Sequence, residues 1–344
     1  MRHHRKEATE ISSRAVRRPT NLAFALVPGF LDVSLGVTSV IVQTANALCR
    51  AAGQPDTFQL SLVAPARGAS VSAAGIKVAH QSLDVASDCD VLVMPGAFIA
   101  DAAAMQAWAT QPAMKPWLAV LRERQAGARP VAASCAGTWL LAEAGLLSGR
   151  HATSVWWLAA AFRQRYPTVL LETQRMVVSD GPVTTAGAAL AHTDMMLHLV
   201  ARTAGASLAE RCAQLLLADR REVQSRHIRL SWMAESDPLM RQACGWIDKH
   251  LGEQVDVGDL AHALHMTPRT LARRCKRSLG VSPWSLVQRR RIEAAADLLR
   301  STTLPFEKIA ARVGYADPSA LRTLIRRELG VAPSSLRAGA VNSA

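Results

Sequence analysis

The chain has 344 residues, 49% hydrophobic and 19% charged, and its 40 Lys and Arg against 27 Asp and Glu give a net charge of +13. That length is enough for two domains with separate cores, and no apolar run reaches the roughly 18–20 residues of a membrane helix. Six cysteines (Cys49, Cys89, Cys135, Cys212, Cys244, Cys275) lie far apart without paired spacing, which argues against a disulfide framework or a zinc site and suits a reducing cytoplasm. The positive charge is concentrated at the two ends. Residues 1–20 carry +4 and residues 236–344 carry +7, leaving +2 for everything between.

The N-terminal stretch MRHHRKEATEISSRAVRRPT has no apolar core behind its charges. It is expected to be a disordered basic arm (1–20) and not a secretory signal. From 21 to 205 strands and helices alternate, the pattern of an α/β layered domain. Asn21–Val27, Phe58–Ala64 and Asp90–Met94 read as strands, the first running into Pro28-Gly29 and the third into Pro95-Gly96. Helices are expected over Val33–Ala51, Asp101–Ala109 and Pro116–Ala126. Pro130–Ser134 then runs straight through Cys135-Ala136-Gly137 into an apolar helix, Thr138–Ala144. Residues 169–186 read as a hairpin turning at Ser179-Asp180-Gly181, and Ala188–Ala204 closes the domain with a helix. A polar, basic connection, expected to be helical, follows over 206–235.

Cys135 is the candidate for chemistry in this half. A strand turning sharply through Ser-Cys-Ala-Gly into a helix is an elbow, which is expected to lift the thiol into the open at a helix N-terminus, where the dipole lowers its pKa. The alternative is a buried, inert cysteine.

The C-terminal part contains one small helical unit twice. VGDLAHALHMTPRTLARRCKRSLGVSP and FEKIAARVGYADPSALRTLIRRELGVAP repeat one pattern, and from the second helix onward they align without gaps at an offset of 50 residues, placing Pro268 on Pro318, Leu271 on Leu321, Leu279 on Leu329 and Gly280 on Gly330. Each copy has a short apolar helix, a tight turn (His265-Met266; Gly314-Tyr315) and a second helix opened by a capping residue and proline, Thr267-Pro268 and Asp317-Pro318. Each second helix buries a stripe at i, i+4, i+8: Leu271/Cys275/Leu279 and Leu321/Ile325/Leu329. These are two helix-turn-helix units. Residues 268–291 hold eight basic side chains (Arg269, Arg273, Arg274, Lys276, Arg277, Arg289, Arg290, Arg291) and no acidic one, and the second unit adds Arg322, Arg326 and Arg327 against Glu328. One-signed charge on a helix after a tight turn suits phosphates and guanine edges better than an ordinary solvated face does.

Residues 238–337 resemble the AraC-type DNA-binding domain, most closely over GYADPSALRTLIRRELGVAPSSLR, with Leu321 and Ile325 standing where that family usually carries aromatics. The resemblance implies two helix-turn-helix units joined by a long helix, about Pro283–Arg300, whose second helices enter successive major grooves of double-stranded promoter DNA about 34 Å apart. It places the base-contacting face on Arg269, Ala272 and Arg273 in the first unit and on Ser319, Ala320 and Thr323 in the second. Thr270, Arg274, Lys276, Arg277, Arg322 and Arg326 complete the expected DNA-binding set. The arginines lead us to expect most direct readout from the first unit.

VAASCAGTWLLAEAGLLSGRHATSVW resembles the cysteine-elbow segment of the PfpI/ThiJ superfamily, a glutamine-amidotransferase-like, flavodoxin-type fold. The combination is the layout of GlxA-like transcriptional regulators of the AraC family and covers nearly the whole chain. The implied architecture is an α/β flavodoxin-like (PfpI/ThiJ-type) N-terminal domain (21–205), a linker (206–235), an all-α double helix-turn-helix domain (236–337) and a tail (338–344). Enzymes of the superfamily place a histidine shortly downstream of the cysteine and an acid after the first strand. Here those positions fall on Val155, with His151 nearby, and on Ser34, with Asp32 nearby. A cysteine without a base is a poor catalyst.

The expected function is therefore sequence-specific transcriptional regulation. The α/β domain would sense a small-molecule effector at Asp32, Gly96, Ala97, Cys135 and Ala136, with Cys135 a vestigial nucleophile, and would form a homodimer. RNA polymerase is a further candidate partner. No cofactor, metal or membrane is expected, and the location is a bacterial cytoplasm, with the protein nucleoid-associated when bound to DNA. Two readings stay open beside it: a cysteine-dependent hydrolase or amidotransferase with an appended DNA-binding domain, and an architectural DNA-binding protein with an inert α/β domain.

Overall fold

The computed structural model describes residues 18–65, 68–219, 221 and 237–341, the last four of these as backbone only. The N-terminal half is built on β1 (Thr20–Ala25), α1 (Asp32–Ala51), β2 (Phe58–Val63), a small hairpin of β3 (Ala69–Val71) and β4 (Lys77–Ala79), α2 (Asp84–Asp88) and β5 (Val91–Met94). It continues with α3 (Ala102–Thr110), α4 (Lys115–Ala126), β6 (Val131–Ser134), α5 (Gly137–Glu143), β7 (His151–Ala152), α6 (Ala159–Arg165) and β8 (Leu170–Leu171). The hairpin β9 (Val177–Asp180) and β10 (Val183–Ala186) precedes α7 (Ala191–Ala204) and α8 (Ala206–Leu215).

Six strands form one sheet in the order β2-β1-β5-β6-β10-β9, parallel except for the closing β9–β10 pair. The register sets Ala23 beside Ser61 on one side and Leu92 on the other. Every residue of β5, β6 and β10 is buried, as expected of strands covered by helices on both faces. Such a sheet presents its loops for function at the carboxyl ends of its strands. Here those loops are 28–31, 95–101 and 135–136, and they are laced together: Leu31 N–H donates to the Gly96 carbonyl at 3.1 Å, and Phe30 bridges Ala97.

Arg124 shows how a polar side chain can sit at the bottom of this core. It is fully buried on α4 and donates to the carbonyls of Ala86, Cys89, Asp90 and Pro130, so the strand starts around it gain acceptors' partners they would otherwise lack.

Two boundaries differ from expectation. Residues 206–215, read as the start of the linker, are the helix α8, and Ala209, Cys212 and Ala213 are buried in the α/β core against α1 and α7. Of the basic arm, 1–17 lie outside the described residues, while Arg18 pairs with Asp90 at 2.8 Å and Thr20 already belongs to β1. Residues 222–236 of the linker and 342–344 of the tail also lie outside them.

The C-terminal half is helical: α9 (Pro238–Lys249), α10 (Val257–Ala263), α11 (Pro268–Leu279), α12 (Pro283–Ser301), α13 (Phe306–Arg312), α14 (Pro318–Leu329) and α15 (Pro333–Val341). The 19-residue α12 spans roughly 28 Å at 1.5 Å per residue. The caps read from the sequence are formed, Thr267 accepting from Thr270 N–H and Asp317 from Ser319 N–H, and Ser282 adds a third by accepting from Ser285 N–H. Asp256 and Asp259 close a reciprocal capping box on α10. Both recognition helices end in a left-handed glycine, Gly280 and Gly330.

Candidate nucleic-acid interface and effector site

On α11 the buried residues are Leu271, Cys275, Ser278 and Leu279. Arg269, Ala272, Arg273 and Lys276 fall on the opposite face at i, i+3, i+4, i+7, and all four are exposed, as is Arg277. Among the described residues none of these four cations makes a hydrogen bond or ion pair with the protein. Long, unpaired cations cost little in water and are available to an anionic partner. Arg274 is half-buried, and Thr270 is drawn into the cap by the Thr267 hydroxyl at 3.0 Å.

α14 is arranged the same way with different chemistry. Ser319, Ala320, Arg322, Thr323 and Arg326 are exposed. Ser319 hydrogen-bonds the Asp317 carboxylate through both its N–H and its hydroxyl, and the Thr323 hydroxyl donates to the Ser319 carbonyl at 3.1 Å. Arg322 stacks over the Phe306 ring at 5.1 Å. The hydroxyls of this helix are thus already spent inside the protein, whereas α11 presents free guanidinium and ammonium groups.

Three of the eight basic residues counted toward DNA from the sequence do structural work instead. Arg289 lies 3.7 Å from Glu328. Arg290 is held by Asp248 at 2.7 Å and by Glu293. Arg291 is buried, donates to the carbonyls of Glu253 and Gly314, and lies over the Tyr315 ring. They sit on the inner side of α12, where acidic and carbonyl groups from α9 and the loop after it, from α12 itself and from the second unit surround them.

The elbow in the α/β domain is present, but its thiol is not in the open. Cys135 has φ +55°, the strained left-handed conformation that turns β6 into α5. Its side chain is only 3% exposed, and burial pushes its pKa up to about 12. The expected exposed, acidified thiol is corrected by this geometry. The loop after β5 closes over it so tightly that a Cβ on Gly96 would stand 2.4 Å from the Cys135 Cβ. The Cys135 thiol points at the Ala97 carbonyl at 3.8 Å. Gly96, Ala97, Cys135 and Ala136 are therefore together as expected, and all are buried.

Asp32 follows Leu31 on the same rim but turns its carboxylate to the β3–β4 hairpin. Its carboxylate accepts from Ala74 N–H at 3.0 Å and from Ser72, bonds that favour its ionised form and hold its pKa below the usual carboxylate range. It anchors the β3–β4 hairpin. Ser34, at the superfamily's acidic position, is buried with no partner for its hydroxyl among the described residues, and Val155 is buried in the core at the position of the histidine. His151 lies at the surface, its Nδ1 2.6 Å from Glu172.

A different histidine comes near the elbow. His192 of α7 is buried between the Ser134 and Thr38 hydroxyls, each 2.8 Å away, and burial pushes its pKa down to about 3, so it is neutral. Nothing short-range in the sequence announces it, because it arrives on a helix 57 residues beyond Cys135. Two clefts lie elsewhere among the described residues. One of about 1270 Å³ opens at the amino ends of the strands beside Arg18, Asp90, Arg202 and Arg211, and one of about 510 Å³ lies between α9 and α12.

Comparison with known proteins agrees with this two-part construction. Residues 32–202 match the DJ-1/PfpI family model, and residues 260–339 match a model described as a helix-turn-helix domain. The HTH-type transcriptional regulator CdhR of Pseudomonas aeruginosa is 30% identical over 233 residues, 67% of this chain and 68% of that one. The regulator GlxA of Rhizobium meliloti is 26% identical over 335 residues, covering 96% of this chain and 98% of its own. GbdR of P. aeruginosa is 27% identical over 214 residues, a match that spans 61% of this chain and 58%, less than two thirds, of GbdR's own length.

Proposed function

The chain belongs to the family of HTH-type transcriptional regulators that join a DJ-1/PfpI domain to an AraC-type helix-turn-helix domain, and from that premise we propose that it is a sequence-specific DNA-binding regulator. The observation that carries the proposal is the exposed stripe Arg269, Ala272, Arg273 and Lys276, opposite the buried face of α11, repeated in position by Ser319, Arg322, Thr323 and Arg326 on α14. Arg269 and Arg273 suit the paired acceptors of guanine in the major groove, and Ala272 and Ala320 suit a thymine methyl. Lys276, Arg277 and Arg326 suit phosphates, with Arg274 and Arg322 at the margins and Thr270 at the helix start.

The α/β domain is read as a sensor without catalysis, binding a small-molecule effector at the loops around Gly96, Ala97, Cys135 and Ala136. Two features support this. The loops converge at the carboxyl ends of the parallel strands. The thiol is protonated at neutral pH, and the histidine beside the elbow bonds Ser134 and Thr38, so the pair needed to activate a nucleophile is not assembled. Effector binding would act by shifting a population between two arrangements of the DNA-binding half. A homodimer through the α/β domain, contact with RNA polymerase and a cytoplasmic location complete the proposal. Among the described residues no helix is long and apolar enough to cross a membrane.

Selection from a random-sequence duplex pool at near-physiological salt tests the proposal. The expected outcome is enrichment of two short elements about one helical turn, or ~34 Å, apart on one DNA face. Uniform recovery of all sequences would sink it.

A further inference from the structure

The first helix-turn-helix unit does not close its own core. Trp156 and Ala159 of the α/β domain are buried in the same cluster as Leu271, Cys275 and Leu279, with Trp157 and Leu171 packed at its edge. The same short segment is fastened on its other side to the loops at the top of the sheet. The Ser154 hydroxyl donates to the Cys135 carbonyl, and the Trp157 indole N–H donates to the Ile99 carbonyl, both at 3.4 Å. Residues 153–159 therefore touch the elbow loops and the DNA-binding half at once.

The contact also contains a group that gains by opening. Arg163, one turn along α6 from Ala159, lies against the end of α11: a Cβ on Gly280 would meet its guanidinium at 2.8 Å. Its Nη1 is buried with no hydrogen-bond partner among the described residues, and burial lowers its pKa. The negative end of the α11 dipole offsets part of that cost, but a desolvated donor left unpaired remains unfavourable and recovers its hydration when exposed. An interface that combines a large aromatic anchor with such a group is suited to two states.

We infer that residues 153–159 form an intramolecular clamp, closed in this structure, through which the elbow loops act on the first helix-turn-helix unit. The inference rests on the reading of the α/β domain as a sensor. A ligand that displaces the Cys135 or Ile99 backbone must lengthen the Ser154 or Trp157 hydrogen bond. Trp156 lies between those two residues and cannot remain seated in a close-packed core while both neighbours move. The clamp holds α11 from behind. Arg269, Ala272, Arg273 and Lys276 stay exposed, so closure fixes the orientation of the base-reading face without masking it. The core of the second unit is made of residues from Ile292 onward, with no buried α/β residue among those described.

Alkylation of the full-length protein by iodoacetamide, mapped by mass spectrometry, tests the clamp without knowledge of the ligand. Cys275 is buried in the clamped core, with its pKa pushed up to about 11 by burial, while Cys89 and Cys212 report on the α/β core. In Trp156→Ala, modification of Cys275 is expected to rise at least about tenfold, equivalent to about 1.4 kcal/mol of local stability, with Cys89 and Cys212 unchanged. Ser154→Ala, at the far side of the clamp, should raise Cys275 alone by a smaller factor. Protection of Cys275 in Trp156→Ala would overturn the clamp, and wild-type reactivity in Ser154→Ala would overturn its connection to the elbow. If Trp156→Ala unfolds the whole chain and all three thiols react, Trp157→Phe, which keeps an aromatic ring but removes the donor to Ile99, is judged by the same criterion as Ser154→Ala. Failure of the wild type to select any DNA sequence would remove the regulator reading while leaving the Cys275 pattern intact, so the two failures are distinguishable.

Discussion

The two helix-turn-helix units are the same unit by sequence and different objects in the fold. In the first, Leu271, Cys275 and Leu279 share their core with Trp156 and Ala159 from more than a hundred residues away. In the second, Leu321 and Ile325 pack with Ile292, Leu299, Ile309 and Val313 of their own half. The turns differ in the same sense. His265 adopts φ +53° at an exposed site, where a side chain has room. Its counterpart Gly314 has φ +81° and lies so close to neighbouring backbone that a Cβ would stand 2.4 Å from the Leu251 carbonyl. A repeated local pattern secures a repeated local shape; what each copy touches is decided by the rest of the chain.

The largest expected effect tests that difference in packing directly. Leu271→Ala and Leu321→Ala each remove a fully buried side chain and should cost about 2–5 kcal/mol of stability. Hydrogen exchange should show the first loosening 153–165 as well as its own unit, and the second confined to 292–329. Equal spread from both would break the comparison.

Next comes the DNA face. Arg273→Ala should cost about 1–3 kcal/mol on a selected site and relax preference at one base pair, whereas Thr323→Ala, whose hydroxyl is already bonded within α14, should cost less than about 1 kcal/mol. The reverse order in a binding titration would move direct readout to the second unit. Phosphate contacts should not tell the units apart: Lys276→Ala and Arg326→Ala should each flatten the salt dependence of binding by about one unit of slope.

The caps give the smallest effect and the sharpest contrast with pH. Thr267→Ala should cost about 1 kcal/mol at any pH, since a hydroxyl cap does not titrate in the working range. Asp317 is held below its usual pKa of 3.8 by hydrogen bonds from Ser319, so its folded form favours the carboxylate. Its contribution is complete above that usual value and is lost as pH falls through the lower folded one. Thermal melts should show the second unit weakening on acidification below about pH 4 in the wild type but not in Asp317→Asn.

Much of the fold was legible in the sequence. The strand–helix alternation, the elbow at Cys135, the hairpin at Ser179-Asp180-Gly181 and both capped recognition helices correspond to elements found in place. The small hairpin β3–β4 and the short helix α6 were not anticipated, since runs of three to seven residues carry too little periodicity to stand out. The DNA face was legible where exposure follows helical phase, as for Arg273 and Lys276. It was misjudged for Arg289, Arg290 and Arg291, whose partners come from other helices.

By itself the sequence determined what depends on neighbours within a few residues: apolar period, cap, left-handed turn, and therefore the doubled helix-turn-helix and the α/β order. Only the tertiary structure decided what each group faces. Cys135 is closed under Gly96 and Ala97, Asp32 is engaged by the β3–β4 hairpin, Arg290 and Arg291 are drawn inward, and Trp156 completes a core in the other half. The physical reason is that burial and charge pairing are set by atoms brought together from distant parts of the chain, whereas periodicity and capping are settled within one or two turns.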